Sequence, residues 1–478
     1  MSKRLTLICI LAIAVSFCVP AYAEVQNVKV SGDMTVRSLY RTNYDLDDND
    51  NNASAPNPGD NADAYFMQSV GLNVDADLTD NVSTAVRIVN QRDWDNNSSA
   101  TATFDVDVDL AYVTLKEMLY QPLTLTIGRQ DLWFGRGLIV GTMLQPVSGT
   151  TEGTQTPESD YNASITAHEY SETTAFDAIR ATLDLAPWKL DLLYSKVDEN
   201  TVYQNDDVDL YEVNAGYKFD VYNGEAEAYY FGKVDETKPT TGTANSRIYG
   251  TLKVNTYGLR GSLEPVTNLI IGAEVAIQRG DYVDGSTSTN RAIRAYALNA
   301  YGKYSFPDIS FKPAIGIEWL SLSGEDNVDD RTGLANGKWH GWDAMYRGKF
   351  DTAIRDFQNY LYATRARIGT TTTLWDQDSG MSNQNSLLIK GSVIPLEDVN
   401  LEGTYGHFWL NDKPNERNRG NLKTSNDVGD ELDILLTYDY TEDVSFGLLT
   451  GWFFPGKVFP AGEDSTARDV VGSMKVVF

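Results

Sequence analysis

The sequence predicts an all-β fold, a transmembrane up-and-down antiparallel β-barrel of about 18 strands with short periplasmic turns and long extracellular loops. Three observations predict it. Strand after strand carries apolar residues at every second position, with almost no competing helical periodicity. The connections between strands alternate between short and long. The chain also ends on an alternating strand, ARDVVGSMKVVF, whose last residue is Phe478, as is typical of bacterial outer-membrane barrels.

The N-terminus predicts export. Lys3 and Arg4 precede an almost wholly apolar stretch, residues 5–19, and the AYA at residues 21–23 offers small residues to a signal peptidase. This pattern is typical of a secretory signal peptide that is removed after Ala23. The stretch is too short for a membrane-spanning helix, which takes about 20 apolar residues.

The composition excludes several functions. Both cysteines, Cys9 and Cys18, lie in the predicted signal peptide, so the mature chain has no disulfide, thiolate metal site or cysteine nucleophile. The formal net charge of −28 argues against nucleic acid as a partner. No apolar run after residue 23 has the length of a membrane helix. We therefore assign residues 1–23 to the signal peptide and residues 24–478 to one outer-membrane β-barrel channel.

The unequal connections predict the strand count. Eight short turns are expected at 79–81, 118–121, 186–187, 220–223, 264–266, 307–308, 396–398 and 441–442. Nine long polar connections are expected at 41–62, 93–103, 132–171, 198–206, 235–246, 280–291, 323–383, 411–428 and 454–466. The even number of strands that they join puts both termini on the short-turn side. The alternative, a water-soluble β-sandwich, is disfavoured by the strand count and by the strict asymmetry of the connections.

The alternation also predicts which side chains line the lumen. Apolar faces contact lipid, and a charge that faces the bilayer midplane costs about 2–4 kcal/mol, so mid-strand charges are assigned to the channel. The basic residues assigned in this way include Arg37, Arg87, Arg180 and Arg260, and the acids include Glu431 and Asp433. Two interpretations remain open: a salt-bridged, hydrated wall, or a ladder that guides a charged solute.

Arg129 does not fit this alternation. In TLTIGRQDLWFGRG, residues 124–137, it is in step with the apolar Ile127. A bulge at Gly128 would turn Arg129 into the channel. Without a bulge, Arg129 lies at the outer rim and extends toward the lipid headgroups. We expect the bulge, and we expect the following segment, 132–171, to fold inward and narrow the pore.

Several of these segments resemble the alginate export family of outer-membrane porins. The segments that carry the resemblance are GRQ at 128–130 with glycines at 135 and 141, WDAMYRGKFD at 342–351, GDELDILLTY at 429–438 and FFPG at 453–456. They occur in the order typical of that family, and the resemblance runs from about residue 120 to the end of the chain.

The resemblance implies an 18-stranded channel through which a polysaccharide or a small hydrophilic solute passes by diffusion. It also implies an arginine-rich constriction suited to an anionic uronate chain, for which Arg129 is the candidate that matches the motif. The inferred lumen departs from this pattern because it holds more acids than bases. The alternatives are a general or carbohydrate-selective porin without an export role, a plugged structural barrel and a barrel hydrolase.

No cofactor is expected, because His168, His340 and His407 have no metal-ligand spacing. The acidic stretches 44–64 and 324–330 are interpreted as solvated loops or as weak Ca²⁺ sites, and the first lacks the glycine of an EF-hand loop. The expected partners are outer-membrane lipid and lipopolysaccharide, a saccharide or small-solute cargo, and the barrel assembly machinery, which would recognise the strand that ends at Phe478.

Overall fold

The computed structural model describes most of the chain after the predicted signal peptide. The described residues are 27–43, 46, 62–94, 106–142, 170, 172–199, 207–236, 249–284, 289–324, 338–358, 382–413, 425–459, 462 and 464–478. The predicted signal peptide, His168 and most of the two acidic stretches lie outside them. No helix among the described residues is long and apolar enough to cross a membrane.

Eighteen strands form the wall of a closed antiparallel barrel, which confirms the predicted fold. They are β1 (Asn27–Thr42), β2 (Ala62–Thr79), β3 (Val82–Asp93), β4 (Asp107–Lys116), β5 (Leu123–Gln130), β6 (Phe176–Leu185), β7 (Trp188–Asp198), β8 (Val208–Phe219), β9 (Gly224–Asp235), β10 (Tyr249–Val266), β11 (Leu269–Asp284), β12 (Thr289–Ser305), β13 (Ala314–Leu322), β15 (Gln384–Leu396), β16 (Val399–Leu410), β17 (Asp427–Asp439), β18 (Val444–Pro455) and β19 (Ala467–Val477). Between β13 and β15, the two-residue β14 (Lys338–Trp339) pairs in parallel with β12 and is not part of the wall.

The two faces of each wall strand differ as the alternation predicts. On β11, Val275 and Ile277 point outward and are exposed, whereas Glu274 and Gln278 point inward and are buried. A hydrophobic outer face is stable only in lipid, so the polar groups of the strands gather in the lumen.

The first and last strands close the barrel. β1 and β19 pair without interruption from Asp33 opposite Val477 to Thr42 opposite Arg468. At the end of this seam, the Gly32 N–H donates to the Phe478 carbonyl at 2.7 Å, and the Phe478 N–H donates to the Gly32 carbonyl at 2.9 Å. The sheet is left without a free edge.

The alternation of short and long connections holds except between β11 and β13, and three of the expected connections need correction. The long connection expected at 280–291 is wrong: β11 and β12 leave only residues 285–288 between them, because their backbone pairing continues beyond the point where the apolar pattern stops. The turn expected at 264–266 lies at 267–268, because β10 extends to Val266. The turn expected at 307–308 is the longer connection 306–313.

Aromatic residues mark the short-turn end of the barrel. The Trp188 ring lies 4.6 Å from the Tyr217 ring, which lies 4.7 Å from the Phe219 ring, measured between centroids. Trp188 and Phe219 are exposed on the outer surface. Such clusters are typical of the aromatic girdle at the membrane–water interface of outer-membrane barrels.

We predict that deleting Phe478 destabilises the barrel seam, because both hydrogen bonds between Phe478 and Gly32 are lost and the sheet gains a frayed edge. The temperature at which the protein loses its compact, SDS-resistant mobility should fall, as measured by electrophoresis after stepwise heating. Phe478→Tyr keeps both backbone hydrogen bonds and serves as the matched control. An unchanged transition temperature in the deletion variant would contradict the prediction.

Candidate functional site

Two chain segments fold inward from the long connections and narrow the half of the lumen nearest those connections. The first inward segment, residues 131–142, follows β5 directly and enters the lumen, as expected for the start of segment 132–171; residues 143–169 lie outside the described part of the chain. The second inward segment, residues 338–358, lies between β13 and β15 and includes a short π-helix, Ala353–Gln358.

The two inward segments are joined through their backbones. The Tyr346 N–H donates to the Ile139 carbonyl at 2.9 Å, and the Gly141 N–H donates to the Tyr346 carbonyl at 2.8 Å. The Gly348 N–H donates to the Gly137 carbonyl at 2.9 Å. A Cβ on Gly348 would lie 2.7 Å from the Cα of Gly141, so the contact requires glycine. The segments therefore form one constriction.

Apolar packing fixes this constriction to the wall. The Phe134 ring lies 5.5 Å from the Phe231 ring of β9, and the Tyr346 ring lies 5.5 Å from the Phe176 ring of β6, both edge-to-face. The segment residues in this buried cluster are Leu132, Phe134, Leu138, Ile139, Val140, Trp339, Trp342, Met345 and Tyr346. Full burial of each large apolar side chain contributes about 1.5–3 kcal/mol, so the constriction is a folded part of the molecule.

Glu431 and Asp433 hold the second inward segment. The backbone N–H groups of Ile354 and Arg355 donate to the two Glu431 carboxylate oxygens at 2.7 and 2.8 Å, and the Ala353 N–H donates to Asp433 at 3.0 Å. Both acids face the lumen, as the alternation predicts, but they are buried beneath the segment. Their geometry is that of anchors for the π-helix, and a contact with solute stays a prediction.

Arg129 lies on the outer face of the barrel, so the expectation of a bulge that turns it inward is wrong. β5 pairs without a register shift with both neighbours, Arg129 lies opposite Asp177, and their side chains form an ion pair of 3.2 Å. Gly128 has a φ of +119°, but the alternation is unbroken. A Cβ there would lie 2.2 Å from the Ala111 carbonyl oxygen, which explains the glycine.

Gln130 explains the rest of the GRQ motif. Its side-chain amide faces inward and donates to the carbonyls of Thr126, Gly128 and Ala178 at 3.1–3.3 Å. It satisfies backbone groups at the point where the chain leaves the wall and enters the lumen. The motif therefore has a structural role at the start of the first inward segment.

Arg87 lies on the lumenal wall as the centre of a group of acids. Its guanidinium donates to Asp33 at 2.9 Å, to Asp109 at 2.9 Å and to Glu172 at 2.6 Å. Glu172 belongs to the chain that returns from the constriction to β6, so Arg87 ties this chain to the wall. Three carboxylates outnumber one guanidinium, and this site carries no positive charge toward a solute.

Arg180 and Arg260 also lie on the lumenal wall and are also ion-paired. Arg180 lies 2.9 Å from Asp191, and its guanidinium lies 5.1 Å from the centre of the Phe134 ring. Arg260 lies 2.8 Å from Glu225 and 2.9 Å from Glu227. These pairs match the salt-bridged wall, the first of the two interpretations. Their contact with solute stays a prediction.

Arg37 lines a cavity of about 560 Å³ near the short-turn end of the lumen. Its guanidinium lies 4.8 Å from the centre of the Tyr170 ring. The charged residues around this cavity are Asp33, Arg37, Arg87, Asp109, Asp131, Glu172 and Lys475. The acids exceed the bases by one, so this part of the lumen does not favour anionic solutes.

A group of five charged side chains at the constriction, here called the constriction cluster, contains more cations than carboxylates. It consists of Arg136, Glu318, Lys349, Asp351 and Lys390. Arg136 binds both carboxylate oxygens of Glu318 at 3.1 Å. Lys349 lies 2.7 Å from Glu318 and contacts Asp351, and Lys390 lies 3.3 Å from Glu318 and 2.6 Å from Asp351. With three cations and two carboxylates, the cluster is positive.

Two cations of the constriction cluster, Arg136 and Lys390, are more exposed than its other members, and Lys349 is buried with the carboxylates. The side chains of Glu318 and Asp351 are 4% and 6% exposed, whereas those of Arg136 and Lys390 are 26% and 34% exposed. Burial alone would raise the pKa of Asp351, but the adjacent Lys349 and Lys390 ammonium groups hold it below its usual value. The carboxylates thus position the cations, and Arg136 and Lys390 are the cations that face the water of the channel.

Arg136 is further oriented by the wall of β12. Its guanidinium donates to Asn299 at 3.1 Å and stacks 3.7 Å from the centre of the Tyr301 ring. Arg136 was not among the predicted lumenal residues, although it stands between Gly135 and Gly137 in the segment expected to turn inward. A signal was present: a basic residue between two glycines on the inward path is a better lumenal candidate than Arg129 on the preceding strand.

The described histidines are not gathered into a metal site. His407 faces outward from β16, with its Nδ1 2.9 Å from Asp430. Among the described residues, no three His, Cys, Asp or Glu side chains are arranged to hold a metal ion. A weak Ca²⁺ site in the acidic stretches stays a prediction.

Comparisons with known proteins agree with this geometry. A family model described as alginate export matches residues 38–473. No functionally curated protein matches the sequence significantly.

Several solved outer-membrane proteins share the fold at low identity. OccK2 (OpdF) of Pseudomonas aeruginosa in complex with glucuronate has a TM-score of 0.51 at 10% identity, over 95% of this chain and 97% of that one. OpdK of the same organism with vanillate has a TM-score of 0.52 at 11% identity, over 94% and 99%. OccAB2 of Acinetobacter baumannii has a TM-score of 0.52 at 9% identity, over 94% and 98%.

We predict that Glu431→Ala loosens the second inward segment, because two buried backbone N–H groups lose their acceptor at a cost of about 1–3 kcal/mol each. Single-channel currents in planar bilayers should become larger and noisier than those of the parent.

Glu402→Ala is the matched control, because Glu402 is a lumenal acid of β16 that is exposed and hydrogen-bonded to Asn400. Its currents should keep the parental noise. Equal current traces for Glu431→Ala and the parent would show that Glu431 does not hold the constriction.

Proposed function

The chain belongs to the alginate export family, and we propose that it is a passive outer-membrane channel for acidic saccharides, from single uronates to short uronate chains. The observation that carries the proposal is the constriction cluster. Its two partly exposed cations, Arg136 and Lys390, lie where the two inward segments narrow the lumen, and its carboxylates are buried.

The constriction cluster is suited to weak, transient binding of a solute carboxylate. The guanidinium of Arg136 has five N–H donors, and its hydrogen bonds to Asn299 and Glu318 use three of them. The remaining donors can meet a solute carboxylate. At an effective dielectric constant near 20, a charge pair at 4 Å gains about 4 kcal/mol, and the buried acids of the cluster reduce this attraction. Conduction needs such moderate binding.

A second candidate is a general diffusion channel without charge preference. The acid-rich cavity around Arg87 favours it, because a solute that leaves the constriction meets a slightly negative wall. Ion selectivity separates the two candidates, since the first requires a preference for anions.

We predict that Arg136→Gln reduces the preference for anions. In planar bilayers under a KCl gradient, the reversal potential should shift toward that of a cation-preferring pore at about 0.1 M salt, and the shift should shrink near 1 M, where the Debye length is about 3 Å. Proteoliposomes should also lose faster swelling in glucuronate than in glucose.

Arg129→Gln is the matched control for this experiment, because Arg129 lies on the outer face beside Asp177 and should leave selectivity unchanged. If Arg136→Gln and the parent give the same reversal potential and swelling rates, the general channel is the correct function.

We also propose that residues 1–23 are a cleaved signal peptide, and that the strand ending at Phe478 is presented to the barrel assembly machinery. The N-terminal charge pattern and the position of Phe478 at the seam support these assignments. The protein purified from outer membranes should begin at Glu24 in N-terminal sequencing. A mature chain that begins at Met1 would contradict the first assignment.

A further inference from the structure

On three neighbouring strands, the outward residues change to polar or charged ones at the same height on the outer surface. Going from the short turns toward the long connections, the outward positions of β10, β11 and β12 carry no charged side chain up to Tyr257, Ile277 and Tyr296, and these three side chains are exposed. The next outward positions hold Asn255 on β10, Arg279 on β11 and Arg294 on β12, and both arginines are exposed.

The height of these arginines corresponds to the outer boundary of the hydrocarbon layer. Arg279 lies ten residues from the start of β11 at Leu269, and Arg294 lies eleven residues before the end of β12 at Ser305. A strand needs about 9–11 residues to cross the hydrocarbon. The two guanidinium groups are therefore at the level of the headgroups in the outer leaflet.

Arg279 and Arg294 lie directly opposite each other. They are register partners of β11 and β12. Like charges in this position destabilise a sheet when nothing lies between them. Neither arginine has a carboxylate partner among the described residues: Arg279 donates to the backbone carbonyl of Gln278 at 2.6 Å, and the nearby Asp281 is the register partner of Lys253.

We propose that Arg279 and Arg294 bind a phosphate group of lipid A in the surrounding lipopolysaccharide. A phosphate between the two guanidinium groups would accept hydrogen bonds from both and replace their repulsion by attraction. Tyr257 and Tyr296, one step closer to the membrane centre, would contact the acyl chains of the same lipid. The inference rests on the proposed outer-membrane location and is independent of the solute.

The double variant Arg279→Ala/Arg294→Ala tests the proposal. Binding of lipopolysaccharide with phosphorylated lipid A to the detergent-purified barrel is followed by native mass spectrometry and by the midpoint of heat-modifiable mobility. We expect about tenfold weaker binding by the double variant and a smaller rise of its midpoint. Arg468→Ala is the matched control, since Arg468 is exposed on β19 but faces Thr42 and Trp452, neither of which is charged, on the adjacent strands.

The ligand series identifies the source of the phosphate. Wild type should bind phosphorylated lipopolysaccharide and lose this preference when the lipid A phosphates are removed enzymatically. Equal binding of both lipids, equal binding by the double variant, or an equal midpoint rise with inorganic phosphate alone would overturn the proposal.

Cell fractionation distinguishes an error in the proposed lipid site from an error in the outer-membrane location. A protein that is found outside the outer membrane overturns both the location and the lipid site. A normally located, heat-modifiable barrel whose double variant binds lipopolysaccharide as wild type does overturns the lipid site alone.

Discussion

The hydrocarbon layer offers no hydrogen-bonding partner to a peptide group, and the rest of this molecule depends on that constraint. It requires the sheet to close, which the pairing of β1 with β19 achieves up to the last residue. It also sends the polar faces of the strands inward, into one lumen. Charges that are crowded in this way must be paired, and Arg87, Arg180 and Arg260 each lie against carboxylates.

The barrel was predictable from the sequence because the two patterns that identify it, the alternation along each strand and the lengths of the connections, are both local in the chain. Alternation of apolar and polar residues identifies strands that have lipid on one side, and turn lengths give their order. The prediction failed between β11 and β12, where the strands leave the membrane and their backbone ladder continues without an apolar outer face. It failed again at Arg129, because a glycine within a strand can mark a bulge, whereas Gly128 is required by its close approach to the Ala111 carbonyl in an unbroken strand.

The site was less predictable because its contacts join distant parts of the chain. Arg136 and Glu318 are separated by 182 residues, and Ile354 and Glu431 by 77. The alternation puts both Glu318 and Glu431 on inward faces of their strands but carries no information on what covers them. The second inward segment gives these acids opposite roles, since one orients cations toward water and the other binds backbone N–H groups under the π-helix. Residue type alone does not distinguish the two.

The joint between the inward segments has a consequence for selectivity. It is made of backbone hydrogen bonds and of a close approach between Gly141 and Gly348, so it places no demand on the side chains at positions 136 and 349. The width of the constriction and its charge are thus determined by different residues. A change of the charged side chains can therefore alter which solutes pass while the width of the constriction stays the same.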